Sequence, residues 1–282
     1  MESLYQKVKE KIQEADAILI GASNGLSISE GYNIFADNEW FKENFGDFRE
    51  KYGIRSVLQG AFYYFPKEEE KWRFFSRLIS KKSYLEQPSQ MMKNLYEIVE
   101  KKDYFVLTSN TEDHFVPVGF MQDQVFEMEG KMTQFRCANR CCEDIYDNRE
   151  AILSMAEVEQ KGSIPSHLLP RCPKCEGPMT TNTADSNDFF HTNDFKNKMH
   201  AYSRFIQKYH GKKLVILELG IGWRNQMIKE PLMRLTASEP QATYITFNKG
   251  EIYIPQEISQ KSIGIDGDIA SALEGILKAE VK

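Results

Sequence analysis

Five cysteines fall in two clusters whose spacing suits a metal ion. The first cluster holds Cys137, Cys141 and Cys142, and the second is the Cys-Pro-Lys-Cys knuckle at 172–175. Two cysteine pairs separated by a loop are typical of a zinc site with four thiolate ligands at the vertices of a tetrahedron. A group of unlinked free thiols is the alternative. We expect a structural zinc ion on four of the five residues, with Cys142 spare: Cys137, Cys141, Cys172 and Cys175.

A turn rich in small residues follows the first apolar run of the chain. The run Ala-Ile-Leu-Ile at 17–20 leads directly into Gly-Ala-Ser-Asn-Gly at 21–25. Glycine lacks the Cβ that would keep a phosphate from the backbone, and a following helix would offer unpaired N–H groups. The spacing matches neither the Gly-x-Gly-x-x-Gly fingerprint nor a P-loop, so a plain tight turn and a phosphate site both remain open.

Polar or small residues also follow the later apolar runs. Asn110 comes after the run 104–107, and Glu129 follows the run 125–128. Taken singly, Asn110 could cap a turn and Glu129 could be a solvated strand end. Because the carboxyl ends of parallel strands meet at one edge of a sheet, we expect these residues to converge on one site. Three more runs end in further candidates: Gly220, Gly222, Asn248, Asp268 and Ile269.

Short apolar runs that alternate with helical patterns predict an α/β fold. The alternation is typical of a Rossmann-like, doubly wound parallel sheet. The aromatic-rich stretch 32–88 indicates an inserted helical module, and 131–181 indicates a smaller zinc-binding insertion. The Rossmann-like domain would then be discontinuous, at 1–31, 89–130 and 182–282. Six runs are expected to be buried strands: 17–20, 104–107, 125–128, 214–219, 242–247 and 263–265.

Composition argues against several classes of protein. The 282 residues carry 36 Lys and Arg against 41 Asp and Glu, a formal net charge of −5. This balance, without a long basic stripe, argues against a nucleic-acid binder. No apolar run approaches the ~18 residues that cross a bilayer, and the first residues form an amphipathic pattern without the apolar stretch expected of a signal peptide. We therefore expect a cytoplasmic protein that does not bind membranes. The five histidines show no metal-ligand spacing, and we expect each at the surface or satisfied in the core.

The order of these motifs resembles that of the sirtuins, which are NAD-consuming enzymes. The resemblance covers about residues 10–278. It rests on the glycine turn, the Thr-x-Asn ending in Asn110, the Glu-Gly step at 129–130, the cysteine knuckle, Gly-Ile-Gly at 220–222, Asn248 and Gly-Asp at 267–268. In the sirtuin deacylases a His stands at the position of Glu129. They also have Pro-Asp-Phe-Arg after the glycine turn, where this chain has Tyr-Asn-Ile-Phe at 32–35.

Several segments look most like the macrodomain-linked class M sirtuins. These segments are Gly-Leu-Ser at 25–27, Lys-Tyr-Gly-Ile at 51–54, Glu-Glu-Lys-Trp at 69–72 and Glu-Leu-Gly-Ile-Gly at 218–222. That class is associated with protein ADP-ribosylation, in some members on a lipoyl-carrier protein. It has Gln where this chain has Glu129, and Arg after the knuckle where this chain has Asn-Thr-Ala at 182–184.

The resemblance implies NAD as the cofactor and transfer of ADP-ribose to a protein acceptor. An NAD-dependent deacylase, an NAD glycohydrolase and an NAD or ADP-ribose sensor with weak turnover are the alternatives. Asn110 would orient the nicotinamide ribose, and the Glu129 carboxylate would hold a ribose hydroxyl. The implied cofactor-binding residues are Gly21, Ala22, Gly25, Leu26, Ser27, Asn110, Gly220, Gly222, Asn225, Asn248, Asp268 and Ile269.

Overall fold

The computed structural model describes residues 4–159, 162–185 and 187–280. Within this part of the chain it has nine strands: β1 Ala17–Ala22, β2 Asp103–Thr108, β3 Val125–Glu127, β4 Gly130–Cys137, β5 Ile145–Asp147, β6 Met179–Thr183, β7 Leu214–Leu219, β8 Thr243–Asn248 and β9 Ser262–Asp266. The α-helices in the same residues are α1 Leu4–Glu14, α2 Asn24–Ser29, α3 Glu39–Tyr52, α4 Val57–Ala61, α5 Glu68–Ile79, α6 Gln90–Val99, α7 Arg149–Glu159, α8 Asn193–Lys208, α9 Gln226–Ser238 and α10 Ile269–Lys278.

Six strands form one parallel sheet in the order β3-β2-β1-β7-β8-β9. Helices pack on both faces, and every residue of β1 and β7 is buried, as in a strand covered on both sides. The predicted α/β, doubly wound parallel fold and its six apolar strands are confirmed. The strand β1 extends to Ala22, two residues beyond the apolar run, because Gly21 and Ala22 continue its pairing with β2 and β7.

The strand order reverses between β1 and β7. The chain moves outward from β1 to β2 and β3, then returns to β7 on the other side of β1 and continues outward to β9. In open α/β sheets, ligands bind in the crevice at the carboxyl ends of the strands at such a point. The segments after β1, β2 and β7 therefore frame the expected site.

A second sheet of three antiparallel strands, in the order β5-β4-β6, lies in the cysteine-containing part of the chain. The sequence indicated no regular elements between 131 and 181, yet this region also contains α7. The strands β4 and β6 are more than 40 residues apart, so nothing in the local sequence marks them as partners, and β4 has no alternating pattern because most of its residues are buried.

The helices of 32–88 and the cysteine-containing region share one hydrophobic core. Phe45 and Phe74 of the helical segment belong to the same buried cluster as Phe135 and Ile152. The ring of Trp72 packs edge-on against Phe135, with centroids 5.1 Å apart. The two predicted insertions are therefore packed together; the exact domain boundaries stay a prediction.

Ion pairs join the helices that surround this shared core. Arg77 of α5 contacts Asp47 of α3 at 2.6 Å and also pairs with Glu159 at the end of α7. Arg73, one turn earlier, lies 3.2 Å from the same Glu159 carboxylate. Two guanidinium groups thus hold α3, α5 and α7 together at one side of the core. No helix in the described ranges is both long and apolar enough to span a membrane.

Candidate active site

The turns after β1 and β7 touch each other through two glycines. The backbone N–H of Gly25 donates to the carbonyl oxygen of Gly220 at 2.9 Å. A Cβ on Gly25 would lie 2.5 Å from the Gly220 Cα, and Gly220 itself has φ +63°. No larger residue fits at either position without moving the backbone, since real Cβ atoms do not approach so closely. The sequence pattern at 21–25 and 220–222 thus reflects a direct contact at the sheet reversal.

The two other glycines implied as cofactor contacts, Gly21 and Gly222, differ in their surroundings. A Cβ on Gly21 would meet the Leu232 side chain at 2.3 Å, so the packing of α9 on the sheet accounts for this glycine. The nearest atom to a Cβ on Gly222 would be a Glu251 oxygen at 3.6 Å. Protein packing therefore does not require a glycine at 222, whereas close approach of a ligand to the backbone would.

Asn110 is held at the end of β2 by a buried hydrogen-bond network. Its amide Nδ2 donates to the Ser27 hydroxyl at 2.8 Å and to the Ser23 carbonyl at 3.3 Å. Ser27 in turn donates to the carboxylate of Glu112. Asn110 is 3% exposed, and its Oδ1 has no hydrogen-bond partner among the described residues. A buried acceptor of this kind costs free energy unless a ligand pairs with it.

Next to this asparagine lies a cluster of titratable groups in which Glu30, not expected there from the sequence, joins Glu112 and His114. His114 Nδ1 lies 2.6 Å from a Glu30 oxygen and 3.6 Å from Glu112. Burial lowers the pKa of His114, but the charges of the two carboxylates outweigh it and raise the pKa above its usual value. The expectation of a histidine satisfied in the core fits this residue.

Glu129 lies on the short link between β3 and β4. Gly130 beside it has φ +82°, and a Cβ there would meet the Asn182 carbonyl at 2.0 Å, so the Glu-Gly step is fixed by the pairing of β4 with β6. On either side, Glu127 and Lys131 form a buried ion pair of 3.0 Å. Burial alone raises the pKa of the Glu129 carboxyl. A carboxyl with a raised pKa in a cavity is a candidate acid–base group.

A cavity of about 760 Å³ connects these groups to an aromatic rim. Its polar end includes Asn110, Glu112 and Glu129, and one wall is formed by Thr181 and Thr183 of β6. Six aromatic side chains of the helical segment form the aromatic rim, of which Phe65 is buried and Phe62 and Tyr64 are largely exposed: Phe35, Phe62, Tyr63, Tyr64, Phe65 and Phe75. The volume suits a ligand of small-molecule size, and the lining combines apolar walls with a few polar groups.

Three residues that the resemblance implies as cofactor contacts, Asn225, Asn248 and Asp268, do not line this cavity. Asn225 donates to the hydroxyls of Ser23 at 3.0 Å and Ser109 at 2.9 Å, next to Asn110. Asn248 donates two long bonds of 3.4 Å to backbone carbonyls of the neighbouring loops. Asp268 caps the first turn of α10 by accepting from Ser271 at 2.9 Å.

Three of the other predicted contact residues, Ala22, Leu26 and Ile269, are buried apolar residues. They pack in the core cluster beneath the turns after β1 and β9. Their contact with a cofactor, like that of Asn225, Asn248 and Asp268, stays a prediction.

Four cysteine sulfurs come together where β4 meets the knuckle. The Sγ atoms of Cys137, Cys141, Cys172 and Cys175 all lie within 4.8 Å of one another. Two of the separations are 3.6 Å and 3.5 Å, close to the about 3.8 Å edge of a zinc–thiolate tetrahedron. Cys142 lies outside this group, near Tyr146. The donor set therefore fits a closed, four-thiolate zinc site.

Comparison with known proteins places the chain in a family. No family model matches it. It is 33% identical over 270 residues to a protein ADP-ribosyltransferase of Staphylococcus aureus, a match that covers 95% of this chain and 85% of that protein. It is also 26% identical over 292 aligned positions to a probable bifunctional ADP-ribose hydrolase/ADP-ribosyltransferase of Fusarium oxysporum, covering 96% of this chain and 47% of the fungal protein.

Solved structures with the same fold are sirtuins. A structure from work on sirtuin substrate affinity has a TM-score of 0.59 at 15% identity, covering 96% of this chain and 97% of that one. A Sir2 protein bound to a myristoylated histone peptide has a TM-score of 0.56 at 15% identity, and the match covers 99% of this chain and 96% of that one. The parallel sheet, the cysteine-bearing insertion and the cavity between them define the sirtuin class of fold. Within this class, the chain belongs to the family of sirtuin-type protein ADP-ribosyltransferases represented by the staphylococcal protein.

Proposed function

We propose that this protein breaks the nicotinamide–ribose bond of NAD and transfers ADP-ribose to a protein acceptor. The observation that carries the proposal is the buried, unpaired Oδ1 of Asn110 in one cavity with the Glu129 carboxyl. The Asn110 oxygen is an acceptor that needs a hydroxyl or amide of the ligand as its donor. The Glu129 carboxylate places a negative charge where positive charge develops on the ribose. Family membership supports NAD as the second substrate.

Asn110 acts as the positioning group for the reacting ribose. Its amide nitrogen is committed to Ser27, so the side chain cannot rotate freely and its oxygen stays available to the substrate. A group held in place before the reaction stabilises the transition state without a cost of reorganisation at that moment. Ser27, through its bond to Glu112, holds Asn110 in this orientation.

Glu129 supplies the negative charge. As nicotinamide leaves, the C1′–nitrogen bond breaks and the ribose becomes cationic, as a sugar does in glycoside cleavage. The Glu129 carboxylate stabilises this charge and accepts a hydrogen bond from a ribose hydroxyl. When the acceptor nucleophile carries a proton, Glu129 takes it as the new bond to C1′ forms. A carboxylate is a weaker base than His near neutral pH, which favours transfer over the deacylase alternative.

The acceptor approaches through the aromatic rim. Phe62 and Tyr64 are 78% and 94% exposed, although both line the cavity that leads to Glu129. Exposed apolar patches of this kind mark binding sites for a partner. We propose a lipoyl-carrier protein as the acceptor, because its long apolar arm matches a rim of aromatic side chains above a polar reaction centre.

We propose further that the four-cysteine group binds one structural zinc ion. All four positions of a tetrahedron are taken by Cys137, Cys141, Cys172 and Cys175, so the ion would hold β4 to the knuckle and take no part in the reaction. The described cysteines form no disulfide, and four close thiols persist as metal ligands in a reducing compartment. A cytoplasmic location follows from this proposal.

The proposed activity is tested by incubating the purified protein with NAD and a lipoylated carrier protein. We expect release of free nicotinamide together with ADP-ribose bound to the carrier. The same carrier without its lipoyl group is the matched control and should be modified more slowly. Glu129→Ala should lose most of the nicotinamide release. Release of nicotinamide with no modified protein would point to a glycohydrolase instead.

A further inference from the structure

The hydroxyl of Tyr32 is buried without a hydrogen-bond partner in the part of the chain that the structure describes. The residue follows α2, is 3% exposed and lines the same cavity as Asn110 and Glu129. Its hydroxyl has no hydrogen-bond partner among the described residues. Its ring is fixed, because Trp40 packs edge-on against it at 5.3 Å and the Lys82 ammonium lies 5.0 Å from its centroid. An unpaired hydroxyl on a fixed ring is costly to bury, which points to a ligand atom as its partner.

The chemistry of this hydroxyl restricts what it can bind. Burial and the nearby carboxylates of Glu112 and Glu86 raise the pKa of Tyr32 well above its usual value, so the phenol stays neutral and donates a hydrogen bond. Tyr32 shares a hydrophobic cluster with three apolar residues that also line the cavity, Ile34, Val57 and Leu78. This side of the cavity therefore suits a flat, weakly polar ring with one hydrogen-bond acceptor, and disfavours a phosphate.

The acceptors across the cavity complete the pattern. Asn110 Oδ1 is unpaired, and the Glu112 carboxylate lies beside it. Tyr32 offers a donor and the Glu112 carboxylate offers an acceptor, while the Asn110 oxygen is left for the ribose. A primary carboxamide carries both complementary groups in one plane, a carbonyl oxygen to accept and an NH₂ group to donate.

We propose that Tyr32 recognises the nicotinamide carboxamide, with its hydroxyl donating to the amide oxygen. This inference rests on the proposed function, and it adds a residue that selects nicotinamide over the bare ribose and phosphates. Tyr32 then contributes to the affinity for NAD and for free nicotinamide, but contributes nothing to the affinity for ADP-ribose, which has no carboxamide.

Calorimetry on Tyr32→Phe tests this assignment. The probes are a carbocyclic NAD analogue that cannot be cleaved, and ADP-ribose. We expect the variant to bind the NAD analogue about five- to fifteen-fold more weakly, the effect of one lost hydrogen bond to a buried partner, and to bind ADP-ribose unchanged within twofold. Inhibition by free nicotinamide should weaken by a similar factor. Tyr52→Phe is the matched control, because Tyr52 also has a buried hydroxyl but does not line the cavity.

Stability gives a second readout. Because the Tyr32 hydroxyl is unpaired without ligand, Tyr32→Phe should unfold at a temperature equal to or above that of the unmodified protein. Equal weakening of both ligands, or unchanged binding of the NAD analogue, would overturn the carboxamide assignment and leave the proposed function standing. Failure of the unmodified protein to bind either ligand at millimolar concentration would overturn both.

Discussion

The amide nitrogen of Asn110 lies 2.8 Å from the hydroxyl oxygen of Ser27. Asn110 lies two residues after the end of β2, whereas Ser27 lies in the helix after β1, so the bond joins the segments that follow two neighbouring strands of the parallel sheet. The Ser27 hydroxyl in turn donates a hydrogen bond to the Glu112 carboxylate. The consequence is an asparagine whose oxygen alone remains available to a ligand.

Substitutions at these two residues should differ in a predictable way. Asn110→Ala should lower the rate of nicotinamide release about 10²–10³-fold, since it removes the group that contacts the ribose. Ser27→Ala leaves that group in place but frees its orientation, so a loss of about tenfold is expected. Steady-state kinetics with NAD measures both. Gln241→Ala, at the surface far from the cavity, should be unchanged. Full activity of Asn110→Ala would contradict the role of this residue.

Glu129 gives the test that separates charge from hydrogen bonding. Glu129→Gln keeps a hydrogen-bonding group and restores the residue that the class M sirtuins have at this position, so it should keep partial activity. Glu129→Ala removes the hydrogen bond as well and should lose about 10²–10³ in rate. Labelled-NAD transfer to protein measures both. If the two variants were equally active, Glu129 would have no role at the ribose.

The pH dependence of activity follows from the raised pKa of Glu129. The ionised form is the active one, so the rate should fall as the pH drops through a value above the usual 4.5 of a glutamate. Glu129→Gln should remove this limb of the pH–rate profile.

The stability of the folded protein should rise, rather than fall, as the pH drops through the same range. Burial disfavours the charged form in the folded state, so the unmodified protein loses a destabilising contribution as the pH falls through the same value. Glu129→Gln should therefore be at least as stable as the unmodified protein at neutral pH.

The zinc proposal predicts about one equivalent of metal in protein purified without added zinc. Cys172→Ser should lose the metal and lower the melting temperature, because Cys172 is a buried member of the four-sulfur group. Cys142→Ser should keep the metal and the melting temperature of the unmodified protein, since the Cys142 sulfur lies outside that group. Elemental analysis and thermal unfolding measure these outcomes. Metal loss in both variants would show that Cys142 takes part in the site.

The contact between the two glycine turns can be tested by adding one methyl group. Gly25→Ala places a Cβ 2.5 Å from Gly220 and should destabilise the protein by about 1–3 kcal/mol and weaken NAD binding. Gly46→Ala is the matched control, because Gly46 lies within α3 with no atom near its added Cβ. It should be neutral or stabilising by about 0.5–1 kcal/mol. Denaturant unfolding compares the two, and an unaffected Gly25→Ala protein would contradict this account of the turn.

The sequence was informative where structure follows from local pattern. Continuous apolar runs such as Leu214–Leu219 predict buried parallel strands, and the topology of such sheets predicts that Asn110 and the turns at 25 and 220 lie at one edge. The two cysteine clusters predict that their sulfurs meet, although their spacing alone does not decide between Cys141 and Cys142. These inferences need only neighbouring residues and general rules of sheet connection.

The parts that could not be predicted depend on distant pairings. The antiparallel sheet of β4, β5 and β6 has no alternating pattern, because most of β4 is buried on both faces. Glu30 and His114 are 84 residues apart, and nothing in their local sequence marks them as partners. The unpaired hydroxyl of Tyr32 is visible only once the cavity is formed.

The central claim is transfer of ADP-ribose to a protein, and one measurement tests it most directly. The unmodified protein is incubated with NAD radiolabelled in its adenylate part, first with a cell extract and then with an acetylated peptide. We predict label bound to protein in the extract, release of nicotinamide, and loss of both with Asn110→Ala. Robust NAD-dependent deacetylation of the peptide, with no label transferred to any protein, would contradict the account and establish a deacylase.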